Sequence, residues 1–86
     1  MSFTPGFAPD AALQLRDMDA NAQEYAIDEL DRLALNPPKK DDIIVSTSWD
    51  KGSLRNTVFV HALIDHARRR VTAVGVGHVA RTIPNS

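Results

Sequence analysis

Three histidines, a run of three arginines and a single tryptophan are the residues of this chain whose types could do chemistry. An imidazole titrates near neutrality and can take or give a proton. A guanidinium is a permanent cation shaped to grip phosphate oxygens, and an indole offers a flat face on which a base can stack. Groups of these types could serve metal-free acid–base chemistry on a phosphate ester, which needs a base for the attacking group, an acid for the leaving oxygen and positive charge on the phosphate. His78 follows Gly77 at the end of an apolar run. It is either a general acid or base displayed at a strand end, or a solvent-facing histidine closing the strand. His61 lies mid-run, and alternation gives it the side of Phe59 and Leu63, the setting of a hydrogen-bonded core or partner-facing histidine. His66 reads as a solvated turn residue. Arg68, Arg69 and Arg70 form the sharpest basic cluster. They are either phosphate contacts, which would make binding salt-sensitive, or a charged turn that keeps a hairpin soluble. Alternation sends Arg68 and Arg70 one way and Arg69 the other. Trp49 either stacks a base, caps a small core or fills a pocket on a protein partner.

Other chemistries have no footing. The histidines lack the i, i+4 spacing of helical metal ligands, and the chain has no cysteine for a thiolate site or a disulfide. GVGH follows a strand pattern but no helix follows it, so it is not a nucleotide-binding loop. No metal and no cofactor are expected.

The elements that must position these residues follow from periodicity. Phe3 and Phe7 flank a Thr-Pro-Gly break, which suits a short, kinked edge strand and not a central one. Asp10 reads as the cap of a two-turn helix over 11–17 with Ala12, Leu15 and Met18 inward. Asn21 reads as the cap of a longer helix over 22–35. There Ala22, Tyr25, Ala26, Leu30, Leu33 and Ala34 share one face and Ile27 widens it. Glu29 falls at the margin of that stripe and needs water or a basic partner. Asn36 suits the C-terminal cap, and Pro37-Pro38 cannot continue a helix. Three strands follow: 43–48, 57–64 and 71–76, joined by turns at Trp49–Ser53 and Asp65–Arg68. The middle strand is apolar on both faces, which predicts partial cover on each. Gly75 and Gly77 predict a bulge or a close backbone approach. The expected architecture is α+β, with two N-terminal helices packed on a small twisted antiparallel sheet in one domain, 1–86.

At 86 residues, 43% hydrophobic and 24% charged, the chain is an ordinary small globular protein. Its net charge of −1 conceals a polarity. Residues 1–36 carry seven acids and two bases, a charge of −5, whereas residues 37–86 carry eight bases and four acids, a charge of +4. This division points to a basic working face and an acidic back, or to two solvated faces without a partner. No apolar run has the length of a membrane span. MSFTPGF lacks the basic start and long apolar stretch of a secretory signal. With cysteine absent, a cytoplasmic protein is expected.

Three pieces, FTPGFAPDAALQL, YAIDELDRLALNPP and VFVHALIDHARRRVTAVGVGH, together span nearly the whole chain. The first looks like an opening strand and short helix. The second is similar to a long second helix ending in proline, and the third to paired strands with an "I-D" turn and a closing "G-H". In this order they resemble the RelE/ParE superfamily of bacterial toxins from type II toxin–antitoxin pairs. The resemblance implies a toxin held by a cognate antitoxin protein. RelE-type members inhibit translation by cutting mRNA in the ribosomal A site, and ParE-type members poison DNA gyrase. Where RelE-type nucleases carry a phosphate-gripping arginine, this chain has Phe59, and Arg55 upstream is the substitute. Arg81 follows the "G-H" two positions later than in the nuclease pattern, and Ile83-Pro84 stand where a terminal aromatic is common. The implied site is Arg55 and Arg81 on phosphate, His78 as acid or base, and Arg68, Arg69 and Arg70 on ribosomal RNA. A ParE-like gyrase inhibitor and a non-catalytic, degenerate binding module are the alternatives.

Overall fold

The computed structural model describes residues 2–84. The elements run β1 (Thr4–Phe7), α1 (Pro9–Arg16), α2 (Ala20–Leu35), β2 (Asp42–Lys51), β3 (Leu54–Asp65) and β4 (Arg70–Thr82). The strands form one sheet in the order β1-β4-β3-β2. Both helices pack on one of its faces, α2 across the middle and α1 over β4.

The sheet is mixed and not purely antiparallel, because β1 pairs parallel to β4, with Thr4 opposite Arg70 and Phe7 opposite Ala73. The two helices form the crossover that returns the chain to the same end, as parallel pairing requires. The Thr4 N–H donates to the Arg69 carbonyl at 2.9 Å and the Ala8 N–H to the Ala73 carbonyl at 2.8 Å. By alternation Pro5 turns its donor-less nitrogen outward, so an edge strand is where this proline costs no ladder bond. Beyond Ala73 the β1 ladder stops, and the Gln14 side chain takes over: its Oε1 accepts from the Val76 N–H at 2.9 Å.

Helix α1 begins at Pro9, two residues before the expected start, and Ala8 stands at its cap position without a side-chain bond. Proline is pre-organised for the first helical position, which moves Asp10 from cap into first turn. Ala11 is the fully buried residue of this helix, while Ala12 faces out. Helix α2 is capped by Asp19, whose Oδ1 accepts from the Ala22 N–H at 2.9 Å, and Asn21 lies within the first turn. Asn36 closes the helix as expected. Ile27, expected to widen the buried stripe, is exposed.

The core lies between α2 and the helix-facing side of the sheet. Leu30, Val58, Val60 and Val71 are its largest fully buried side chains, with Ala22, Ala26, Ala62 and Ala73 keeping helix and sheet close. Glu29 is buried with them and finds the partners it needs. It accepts from Arg32 Nη1 at 3.0 Å and from the Thr47 hydroxyl on β2.

The strands run longer than the pattern predicts because polar residues extend the β2–β3 and β3–β4 ladders past the apolar runs. Strand β2 continues through Trp49 to Lys51, leaving Gly52-Ser53 as a two-residue loop with Gly52 at φ 61°. A register shift opposite His61/Ala62 leaves Val74 as the extra residue, so the bulge falls beside Gly75. Strand β3 is central but covered on one side alone. Val58, Val60, Ala62 and Ile64 face the helices, while Phe59 and Leu63 stay 40% and 43% exposed on the other face.

Candidate functional site

That uncovered face is where register assembles a site. Residues directly opposite each other share a face, so each row of the ladder can be read across three strands. The first row is Asp50–Arg55–Arg81, the second Ser48–Thr57–Val79, the third Ser46–Phe59–Gly77 and the fourth Ile44–His61–Gly75. Charge is concentrated in the first row. Arg55 grips Asp50 with both ends of its fork, Nε to Oδ1 at 2.9 Å and Nη2 to Oδ2 at 3.2 Å. The hydrogen bond from Arg55 holds the Asp50 carboxyl below its ordinary range, outweighing the opposing effect of lost solvent, and the Arg55 charge adds a smaller lowering. The same bond and charge raise the Arg55 pKa. The guanidinium of Arg81, beside Arg55 in the ladder, makes no hydrogen bond or ion pair among the described residues. The two guanidiniums border a recess of about 420 Å³ walled by Thr57, Phe59, Val79 and Ile83.

The expected constellation is therefore realised in part. Arg55 and Arg81 are neighbours on the open face. His78 is not with them. Residues 78 and 81 are an odd number of positions apart on one strand, so they face opposite ways. His78 lies on the helix side, its Nε2 3.0 Å from Asn56 Oδ1 and its ring stacked on Trp49 at 5.7 Å. Trp49 in turn stacks on Tyr25 of α2 at 4.1 Å. This aromatic file shows what Trp49 does here: it closes the end of the core. His61 does share the open face with Phe59 and Leu63, and its Nε2 sits 2.7 Å from Asp42 Oδ1.

Arg68, Arg69 and Arg70 lie at the far end of the sheet from Arg55 and Arg81. The strand between them, about ten residues at ~3.3 Å each, separates the groups by ~30 Å. Strand alternation does not govern the run, because His66–Arg69 form the loop and Arg70 alone opens β4 opposite Asp65. The Asp65 carboxylate accepts from the Arg68 N–H at 2.9 Å, and Arg69 takes a φ of 56°. His66 is more than solvated. Its Nε2 is 3.3 Å from the Lys40 carbonyl and its ring meets Phe3 edge-on at 5.7 Å. These contacts join the α2–β2 loop, with Lys39 and Lys40, to the arginine turn.

Sequence reading missed Asp50 as the partner of Arg55. The signal was present: the two flank a two-residue loop symmetrically, so a hairpin centred on Gly52-Ser53 must place them opposite each other. No group of metal-binding side chains occurs among the described residues, and none of their helices is long and apolar enough to cross a membrane.

This arrangement of helices and mixed sheet is a RelE-like fold. It superposes on a free, double arginine-to-alanine mutant of the Escherichia coli toxin RelE with a TM-score of 0.68 at 12% identity, covering 90% of this chain and 83% of that one. The RelBE2 toxin–antitoxin complex of Mycobacterium tuberculosis gives 0.64 at 16% identity, covering 92% and 93%. The archaeal RelE–RelB complex of Pyrococcus horikoshii gives 0.59 at 11%, covering 88% and 93%. No protein-family model and no curated protein sequence matches the chain.

Proposed function

We propose that this protein is the toxin of a type II toxin–antitoxin pair and that it inhibits translation by engaging RNA through the open face of its sheet. The observation that carries the reading is the juxtaposition of Arg55 and Arg81 on the face that no helix covers, with Arg81 lacking a carboxylate partner among the described residues. Two adjacent guanidiniums at the mouth of a recess suit a phosphodiester. They would also hold the extra negative charge that builds on the non-bridging phosphoryl oxygens as a ribose 2′-hydroxyl, giving its proton to water, attacks and the 5′-oxygen leaves with a proton from water. The RelE-like fold supports the toxin role, and two of the structures it resembles are complexes with RelB, which supports a cognate antitoxin as partner. Ile44 at 66% exposure and Leu63 at 43% on the same face are the apolar surface such a partner could cover.

A second reading rests on His78. Its place on the helix side removes the expected acid or base from the arginine pair, which favours a toxin that binds without cutting, as a gyrase inhibitor does. Expression of the chain alone separates the two. The RNA reading expects growth arrest with mRNA cleaved on ribosomes, loss of arrest in Arg81→Ala and Arg55→Ala, and retention in His78→Ala. Intact mRNA with inhibited supercoiling would establish the second reading, and arrest unchanged in both arginine variants would overturn the first.

A further inference from the structure

We propose that Phe59 is a stacking platform for one unpaired RNA base, held there while the neighbouring phosphate lies against Arg81 and Arg55; this rests on the reading that the open face takes RNA. The recess beside the arginine pair is not uniformly polar. Phe59, 40% exposed in the middle of the sheet, lines it together with Val79 and Ile83. A ring so placed contributes little to the core, which lies on the other face. Its cross-strand neighbours are small, Ser46 on β2 and Gly77 on β4, so directly across the sheet neither neighbour has a bulky side chain.

Gly77 gains nothing from inside the fold. A Cβ there would meet no atom within 4 Å, and its φ is not positive. Glycine in a strand interior is unfavourable, and here its one effect is to leave space over the β4 backbone next to Phe59. A second recess of about 320 Å³ opens across this glycine, and Phe59 borders both. The ring thus stands between two hollows, one of which runs to the guanidiniums. Along β3, Phe59 and Arg55 are four residues and ~13 Å apart, within reach of an extended single strand. Charge selects the occupant: the row that ends the recess carries two arginines against one aspartate, and that aspartate is already engaged. An anionic chain with flat apolar side groups matches this combination, and single-stranded RNA is such a chain.

The test uses the whole protein and two probes of equal length and charge, an unstructured RNA hexamer and the same backbone lacking its bases. The native protein should bind the hexamer more tightly than the abasic strand. Phe59→Leu and Gly77→Val should each bind the hexamer about tenfold more weakly, within the range that loss of one stacked base produces, and the abasic strand as before. Phe59→Tyr should restore hexamer binding. Arg81→Ala should weaken both strands, which reports on the underlying RNA reading alone. Equal affinity of the native protein for the two strands overturns the platform and leaves the RNA reading standing. Binding of neither strand removes that reading and the platform with it. Unchanged hexamer affinity in Phe59→Leu and Gly77→Val, with weakened antitoxin binding, would put a protein on this ring and also overturn the proposal.

Discussion

Arg55 and Arg81 are alike in charge and unlike in circumstance. Arg55 already holds a carboxylate, while Arg81 has no such partner among the described residues. Asp50 therefore fixes the orientation of one guanidinium and cancels half the charge of the pair. Removing its charge by Asp50→Asn should strengthen RNA binding at low salt and steepen the salt dependence by about one released counterion, read as the slope of log affinity against log salt. The same pair has a pH signature. Folding lowers the Asp50 pKa from the ordinary 3.8, so its contribution to stability is complete above that value and is lost as pH falls through the lower folded value. Stability of the native protein should accordingly decline more steeply than that of Asp50→Asn below about pH 4, as checked by thermal unfolding across an acid series. Both groups are solvent-exposed, so salt should flatten the difference.

At the scale of elements, each helix and strand has a sharply defined inner side. Leu30 is the one large residue of α2 that is fully buried, and the helix's other fully buried residues, Ala22 and Ala26, are too small to fill its place. Leu30→Ala should cost about 2–5 kcal/mol, lowering the melting temperature by ~10 °C or more in a domain of this size. Phe59→Leu, on the open face, should leave it nearly unchanged. Most of this layer was legible in sequence, because 3.6- and 2-residue periodicities record which side of an element is wet. Val58, Val60, Ala62 and Ile64 and the α2 stripe were read from spacing alone. The open side of β3 was misjudged since Phe59 and Leu63 are as apolar as core residues, and an exposed apolar residue looks the same in sequence as a buried one. Parallel pairing of β1 was hidden for a different reason: four residues containing proline and glycine carry no signal of which strand they will join. The Arg55–Arg81 pair was legible by family resemblance, but its separation from His78 could have been read from parity along β4.

The molecule as a whole is a two-sided object, 48 × 26 × 16 Å, with its helices on one face and its sheet bare on the other. Partner and target are both proposed to use the bare side, so they should exclude one another. Titrating the antitoxin into a complex of the protein with an RNA hexamer should release the RNA in proportion to antitoxin bound. Replacing Ile44 and Leu63 by lysine should impair that release while RNA alone still binds. The basic turn at Arg68–Arg70 and the arginine pair lie at opposite ends of the same sheet. An RNA long enough to reach both should show a larger salt slope than a hexamer, which spans one.

Strand β4 is made after β1, β2 and β3, and it is the one to which both β1 and β3 hydrogen-bond. Until 70–82 has been made, β1 has nothing to join and the nascent chain carries its opening segment unmatched, for roughly 3–13 s at ~5–20 residues per second. A chain interrupted before Arg70 would lack Val71 and Val76 from the core and Arg81 from the surface together. Assembly of the Arg55–Arg81 surface thus waits for 70–82, and chains cut short before Arg70 should fail to cause the growth arrest expected of the whole protein.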